Sequence, residues 1–230
     1  MNVNWERLWR MNGINFALFF IVAYALYGNQ PKVGASAEKL VSFYEGDRTR
    51  ILIATVIFAL AVLNLMWFVA ALTSALRDAG QGGWGAAATA ASAALGAVFF
   101  VLIIVGAALA YAIAGSGNEA LTSGLNDFSW VCIVIASFPA AMLIMAGSFG
   151  LWRAGILSNV LFSVGVAAVV LVLLGGTTWA SDGFWAPDGA YSRFISPIIG
   201  LAWITVISGV LGMRAPSAAR PRERQAVPEP

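Results

Sequence analysis

The chain has 230 residues, of which 60% are hydrophobic and only 10% charged, and its formal net charge is +2. A soluble domain is about one quarter charged, so an ordinary water-soluble fold is excluded, and so weak a net charge offers nothing to a nucleic-acid partner. With one cysteine, Cys132, and no histidine, an internal disulfide, histidine-ligated haem, the common zinc-protease motif and histidine proton relays are all excluded.

The few charges leave six charge-free stretches: 11–31, 51–76, 79–118, 128–152, 154–181 and 194–213. Crossing a hydrocarbon core of about 30 Å takes roughly 20 helical residues, and each stretch reaches or approaches that length. Membrane barrel strands would be about ten residues long and alternate in polarity. These runs are longer and apolar all round, and in lipid a helix satisfies its own amides. The expected fold is therefore all-α: a polytopic membrane helix bundle with six transmembrane helices. The spans fall near 13–28, 51–76, 86–114, 128–152, 156–177 and 197–213, making 1–213 one transmembrane domain.

In chain order, a basic, aromatic lead with Trp5, Arg7, Trp9 and Arg10 precedes the first span. Ala23-Tyr24-Ala25 mimics a signal-peptide cleavage site, but five further spans make an uncleaved anchor the expectation. Loop one, 28–50, carries Ala37, Leu40, Val41 and Tyr44 at i, i+3, i+4 and i+7, one face of a helix. Ser36 is its expected N-cap, and the segment reads as one outer interfacial amphipathic helix. A charged collar follows at Glu45, Asp47, Arg48 and Arg50. Gly80 to Gly85 reads as a loop, and the alanine-rich third span after it should pack closely on two or more neighbours. Loop three, 115–127, carries Glu119 and Asp127. Pro139 should bend the fourth span, and Arg153-Ala154-Gly155 reads as a tight turn. Loop five repeats an aspartate-glycine turn at Asp182-Gly183 and Asp188-Gly189. Ser196 and Pro197 read as cap and first-turn proline of the last helix. The tail, 214–230, holds four prolines and four arginines and is expected to be a disordered cytoplasmic tail.

Lys and Arg number eight on the side of the termini and five on the other. By the positive-inside rule both termini are cytoplasmic.

Ionised groups inside spans mark function, and none occurs here. This argues against proton pumping through a buried carboxylate. Lys32 and Lys39 both lie in loop one, which excludes a retinal Schiff base. Serine-hydrolase and phosphate-loop patterns are missing, and no catalytic residue, metal site or cofactor is expected. The chemistry left at mid-depth is neutral: Asn64, Ser137 beside Pro139, and Thr205 near Trp203. These five form a candidate ligand-binding spot, in which Asn64 would bond Ser137 or the carbonyl freed by Pro139; the plainer reading is interhelical glue. Tyr44, Arg48, Arg50, Asp182 and Asp188 are candidates for an outer gate or anchor. Asp182 and Asp188 as a cation pair are weaker than two simple turns.

Val41-Ser42-Phe43-Tyr44 with Arg48 and Arg50, Leu65-Met66-Trp67-Phe68, Phe138-Pro139-Ala140-Ala141, and Asp188-Gly189-Ala190-Tyr191 leading to Trp203 form a loose pattern over residues 10–214. In these the chain resembles a group of uncharacterised actinobacterial six-span integral membrane proteins. The resemblance implies a multi-pass protein of the bacterial plasma membrane and carries no activity. The leading expectation is a non-enzymatic membrane component that packs with lipid, a protein partner or further copies of itself. The alternative is a binder or carrier of an apolar or amphiphilic small molecule between the second, fourth and sixth spans. An intramembrane enzyme ranks last.

Overall fold

The computed structural model describes residues 5–214. Among them every regular element is helical: α1 (Trp5–Arg10), α2 (Asn12–Tyr27), α3 (Ala37–Tyr44), α4 (Arg48–Asp78), α5 (Gly82–Ala108), α6 (Glu119–Arg153), α7 (Asn159–Gly175) and α8 (Ser196–Met213). A π-helical turn, Leu109–Ile113, prolongs α5, and another, Tyr191–Ile195, leads into α8. With these turns, four helices are long and apolar enough to cross a membrane: Arg48–Asp78, Gly82–Ser116, Glu119–Arg153 and Tyr191–Met213. Helices α2 and α7 are apolar but shorter, at 16 and 17 residues. The expected disordered tail lies, beyond Arg214, outside the described residues.

Several helices overrun their charge-free stretches. Arg48 and Arg50 fall in the first turn of α4, and Glu119 and Asp127 in the first turns of α6. A charged side chain can ride on a helix end and reach away from an apolar surface, so a charge marks the end of an apolar run and not the end of the helix. The expected loop at 115–127 is consequently helical from Glu119, with Asn118 accepting the Leu121 amide through its side chain as N-cap. The glycine-rich loop is likewise short. Gly80, at φ 73°, lets Gln81 N–H return to the Leu76 carbonyl, and α5 starts at Gly82. The Arg153 turn is as expected, with Gly155 at φ 68° and Ile156 N–H donating to Leu151 O. Ser36 precedes α3 without making a side-chain cap bond, and α8 is entered through the π-turn, not through a cap at Ser196.

Six helices form a ring in the order α2, α4, α5, α6, α7, α8, closing back on α2. Glycines set the closest crossings, since an absent side chain lets backbones approach in lipid. A Cβ at Gly13 of α2 would lie 2.9 Å from Phe68 of α4 and from Ser208 of α8. At Gly147 of α6 it would lie 2.5 Å from the Trp203 ring of α8. One end of the ring carries both described termini: Arg10 Nη1 donates to Leu211 O, Ser208 Oγ donates to Arg10 O, and Trp9 meets Trp67 at 5.5 Å. At the same end Trp84 stacks on Phe149, Phe149 meets Phe162 edge to face, and Phe162 stacks on Trp152.

The far end carries the loops 28–36 and 176–190 and helix α3. The apolar face of α3 packs on protein: Leu40 and Tyr44 join Ile51, Val105, Leu109, Ala110 and Ala114 in a small core. A larger core, including Phe16, Leu65, Phe68, Leu72, Ile144 and Trp203, fills the middle and the terminal end.

Candidate functional site

Between these two cores lies a cavity of about 330 Å³, walled by α2, α4, α5, α6 and α8. That volume is at the lower end of the roughly 300–1,000 Å³ of small-molecule sites. Its deep part is aromatic and aliphatic. Phe20 meets Phe58 at 5.2 Å, and Phe58 meets Phe99 at 5.2 Å, with Phe16, Leu95 and Ile204 beneath. Most polar groups gather towards the far end, among them Tyr24, Tyr27, Gln30, Ser129, Trp130, Ser192 and Arg193, while the Ser137 hydroxyl lies on the deeper wall.

The lining on α2 runs from Phe16 to Tyr27, on α6 from Ser129 to Ala140, and along the π-turn and α8 from Arg193 to Ile204, eleven residue steps in each case. At about 1.5 Å per step the cavity is roughly 16 Å deep, close to half of a hydrocarbon core about 30 Å thick. Its wall thins between α2 and α8. There Ile21 is 57% exposed and Ile198 60% exposed, although both line the cavity. This window is shut on one side by Gly13 against Ser208 and Ile204. On the other side Arg193 Nε donates to Tyr24 Oη at 3.1 Å, and the Tyr24 and Phe194 rings meet at 6.2 Å.

The roof of the cavity is held by Asn126, which is 0% exposed. Its Oδ1 accepts from Tyr44 Oη at 2.9 Å and from Gln30 Nε2 at 3.4 Å. Its Nδ2 donates to Lys32 O at 3.2 Å and to Pro31 O at 3.4 Å. Trp130 Nε1, one turn on, donates to Pro31 O at 2.9 Å. Asp127 accepts the Gly34 amide. One turn of α6 thereby fixes the loop from Gln30 to Gly34. Burial pushes the Tyr44 hydroxyl far above its ordinary pKa, and the adjacent Tyr27 adds to the shift. Tyr44 therefore stays a donor at any ordinary pH.

The five mid-depth candidates do not assemble into one spot. Ser137 lies on the cavity wall, its hydroxyl flanking Gly175 opposite that of Ser196. Asn64 does not reach it: Nδ2 donates to Leu60 O of its own helix at 2.8 Å, a local bond always within reach of a short polar side chain. Pro139 stands inside a continuous α6, and neither it nor Thr205 lines the cavity. Trp203 is 6% exposed, and its Nε1 donates to Ser148 Oγ at 2.9 Å, away from the cavity. The outer candidates also separate. Tyr44 is buried on Asn126, Arg48 lies 4.9 Å over the Tyr111 ring, and Arg50 pairs with Asp47. Asp182 and Asp188 share a shallow groove with Lys32 and Phe184. Among the described residues no group of three metal-ligating side chains occurs. The two aspartate-glycine turns instead pack on each other, Gly189 lying against the Gly183 and Phe184 carbonyls with no room for a Cβ.

No protein family matches the chain, and neither does any curated protein or solved structure.

Asn126 and Arg193 are the residues that sequence reasoning missed. The helical spacing Thr122, Asn126, Ser129, Trp130, Ile133, Ser137 carries one face of α6 back through the supposed loop, and that spacing was the available signal for Asn126. Arg193 offered no such signal.

Proposed function

We propose that this is an integral membrane protein that holds the alkyl chain of a lipid-like molecule in the cavity between α2, α4, α5, α6 and α8. The carrying observation is the cavity itself: mostly apolar at depth, polar at one end, about one leaflet deep, and thin-walled towards lipid between α2 and α8. All six ring helices span the bilayer in this reading. Helices α2 and α7, roughly 24–26 Å long, are accommodated by tilt or local thinning. The Lys and Arg distribution supports cytoplasmic termini, so the polar end of the cavity and α3 face outward. The loose actinobacterial resemblance supports a bacterial plasma membrane.

Gly200 tests this reading. It lines the cavity, and a Cβ there would meet nothing within 4 Å. Gly200→Leu places a side chain whose Cβ lies in open space, and losing a mid-helix glycine should leave stability unchanged or raise it by about 0.5–1 kcal/mol. Tritiated hexadecanol, bound to the protein in phosphatidylcholine nanodiscs, is expected to lose at least tenfold in affinity. Asn64→Leu, away from the cavity, serves as the control and should leave affinity within twofold. Equal binding to wild type and Gly200→Leu would put the chain elsewhere.

One observation favours a second role in packing against a partner. Ala86, Ala90, Ala93 and Ala97 leave an exposed small-residue stripe on α5, opposite the face buried on α4 and α6. If that stripe meets another helix, Ala90→Leu should reduce the mass of the detergent-solubilised particle seen by light scattering; an unchanged mass would remove this role.

A further inference from the structure

Arg193 is the one charged side chain on the cavity wall. Its Nε donates to Tyr24 Oη and its Nη2 to Asn29 Oδ1, both at 3.1 Å. Its guanidinium carbon lies 5.7 Å from the Trp130 ring centroid and 5.5 Å from that of Phe194. These partners orient the group, and none of them neutralises it. The ion pair found among the described residues joins Arg50 to Asp47 and leaves Arg193 without a carboxylate. Both hydrogen bonds of Arg193 lie in an exposed setting, so the group stands at the mouth of the apolar slot where an anion could reach it. A guanidinium carries five donors in a planar fork suited to carboxylate or phosphate oxygens, and here two are used.

The arginine sits at the polar end of a slot whose other end is closed by Phe16, Leu95 and Ile204. An amphiphile entering with its chain along the slot would bring its head to the guanidinium. The π-helical turn Tyr191–Ile195 is itself pinned, Tyr191 Oη donating to Leu171 O at 2.7 Å and Ser192 Oγ to Thr178 Oγ1 at 2.6 Å. The arginine is therefore carried on a fixed backbone, and π-turns of this kind recur at functional sites.

We propose that Arg193 binds the anionic head, a carboxylate or phosphate, of the molecule whose alkyl chain fills the cavity. This rests on the reading of the cavity given above and adds the chemical class of the ligand. Two sources share that chemistry: a free single-chain acid and a membrane phospholipid inserting one chain.

The test uses the full chain in phosphatidylcholine nanodiscs with four probes: palmitate, hexadecyl phosphate, dioleoyl phosphatidylglycerol and hexadecanol. Wild type should bind at least one anionic probe tenfold or more tighter than hexadecanol. Tighter binding of palmitate or hexadecyl phosphate would identify a free amphiphile, and tighter binding of phosphatidylglycerol a bilayer lipid. Arg193→Gln should bring the anionic probes to the level of hexadecanol and leave hexadecanol within twofold, while Arg193→Lys retains part of the preference. Equal wild-type binding of the anionic probes and hexadecanol overturns the head assignment, and needs no variant to fold. So does loss of all four probes in an Arg193→Gln protein that unfolds at the wild-type midpoint. The cavity reading fails separately, if hexadecanol binding ignores Gly200→Leu.

Discussion

Replacing Asn126 by alanine is expected to destabilise the protein by about 2–3 kcal/mol, read as a lower midpoint in a dodecyl sulfate titration followed by circular dichroism. The side chain is fully buried and serves Tyr44, Gln30 and the Pro31 and Lys32 carbonyls at once. Removing one partner of a buried hydrogen bond strands the other, at roughly 1–3 kcal/mol. Here the groups that lose a partner are the Tyr44 hydroxyl, the Gln30 amide and two backbone carbonyls. Tyr44→Phe removes a single donor and leaves Asn126 its other bonds, so it should cost about 1 kcal/mol. The double variant should cost less than the sum of the two singles, because both changes break the same bond. Additive losses, or an Asn126→Ala cost below about 0.5 kcal/mol, would mean that the roof of the cavity is held by packing alone.

Gly165→Val should be damaging at the opposite end of the ring. A Cβ at Gly165 of α7 would collide with Ser148 of α6, whose hydroxyl accepts the buried Trp203 indole N–H of α8. Neither neighbour can swing away, since the serine side chain is only two atoms long and the indole is enclosed. Overpacking of a close crossing costs about 1–3 kcal/mol, and displacing Ser148 strands the Trp203 donor as well. A total of about 3 kcal/mol or more is expected from the same titration. Gly165→Ala combined with Ser148→Gly should recover the packing part and not the hydrogen bond. If Gly165→Val unfolds at the wild-type midpoint, α7 does not sit on this crossing.

What the sequence made legible follows from what charge can report. The long runs 51–76, 79–118 and 128–152 each became one apolar helix, because excluding charge from a thick layer is a constraint on composition. The same rule misplaced the helix ends, since Arg48, Arg50, Glu119 and Asp127 ride on helices that continue past the charge-free runs. The amphipathic face of α3 was readable from spacing alone, although it covers the protein's own core at Val105 and Leu109. The candidate site was harder. Asn64, Ser137 and Thr205 share a depth, but depth says nothing of which way each helix is turned. Rotation put Ser137 on the cavity and left Asn64 to its own backbone. Arg193 counted only as a loop charge, for its role depends on α2 and α6 coming alongside, a pairing of elements more than sixty residues away in sequence.

The seam between α2 and α8 joins the earliest and latest members of the ring. A ribosome delivers α2 long before α8, so through most of synthesis the flank of α2 bearing Gly13 waits for the Ser208 flank that will cover it. The chamber has no closed wall until α8 has been made. A circular permutant opened in the Lys32–Ala35 turn, in which α8 precedes α2, would reverse that order of delivery.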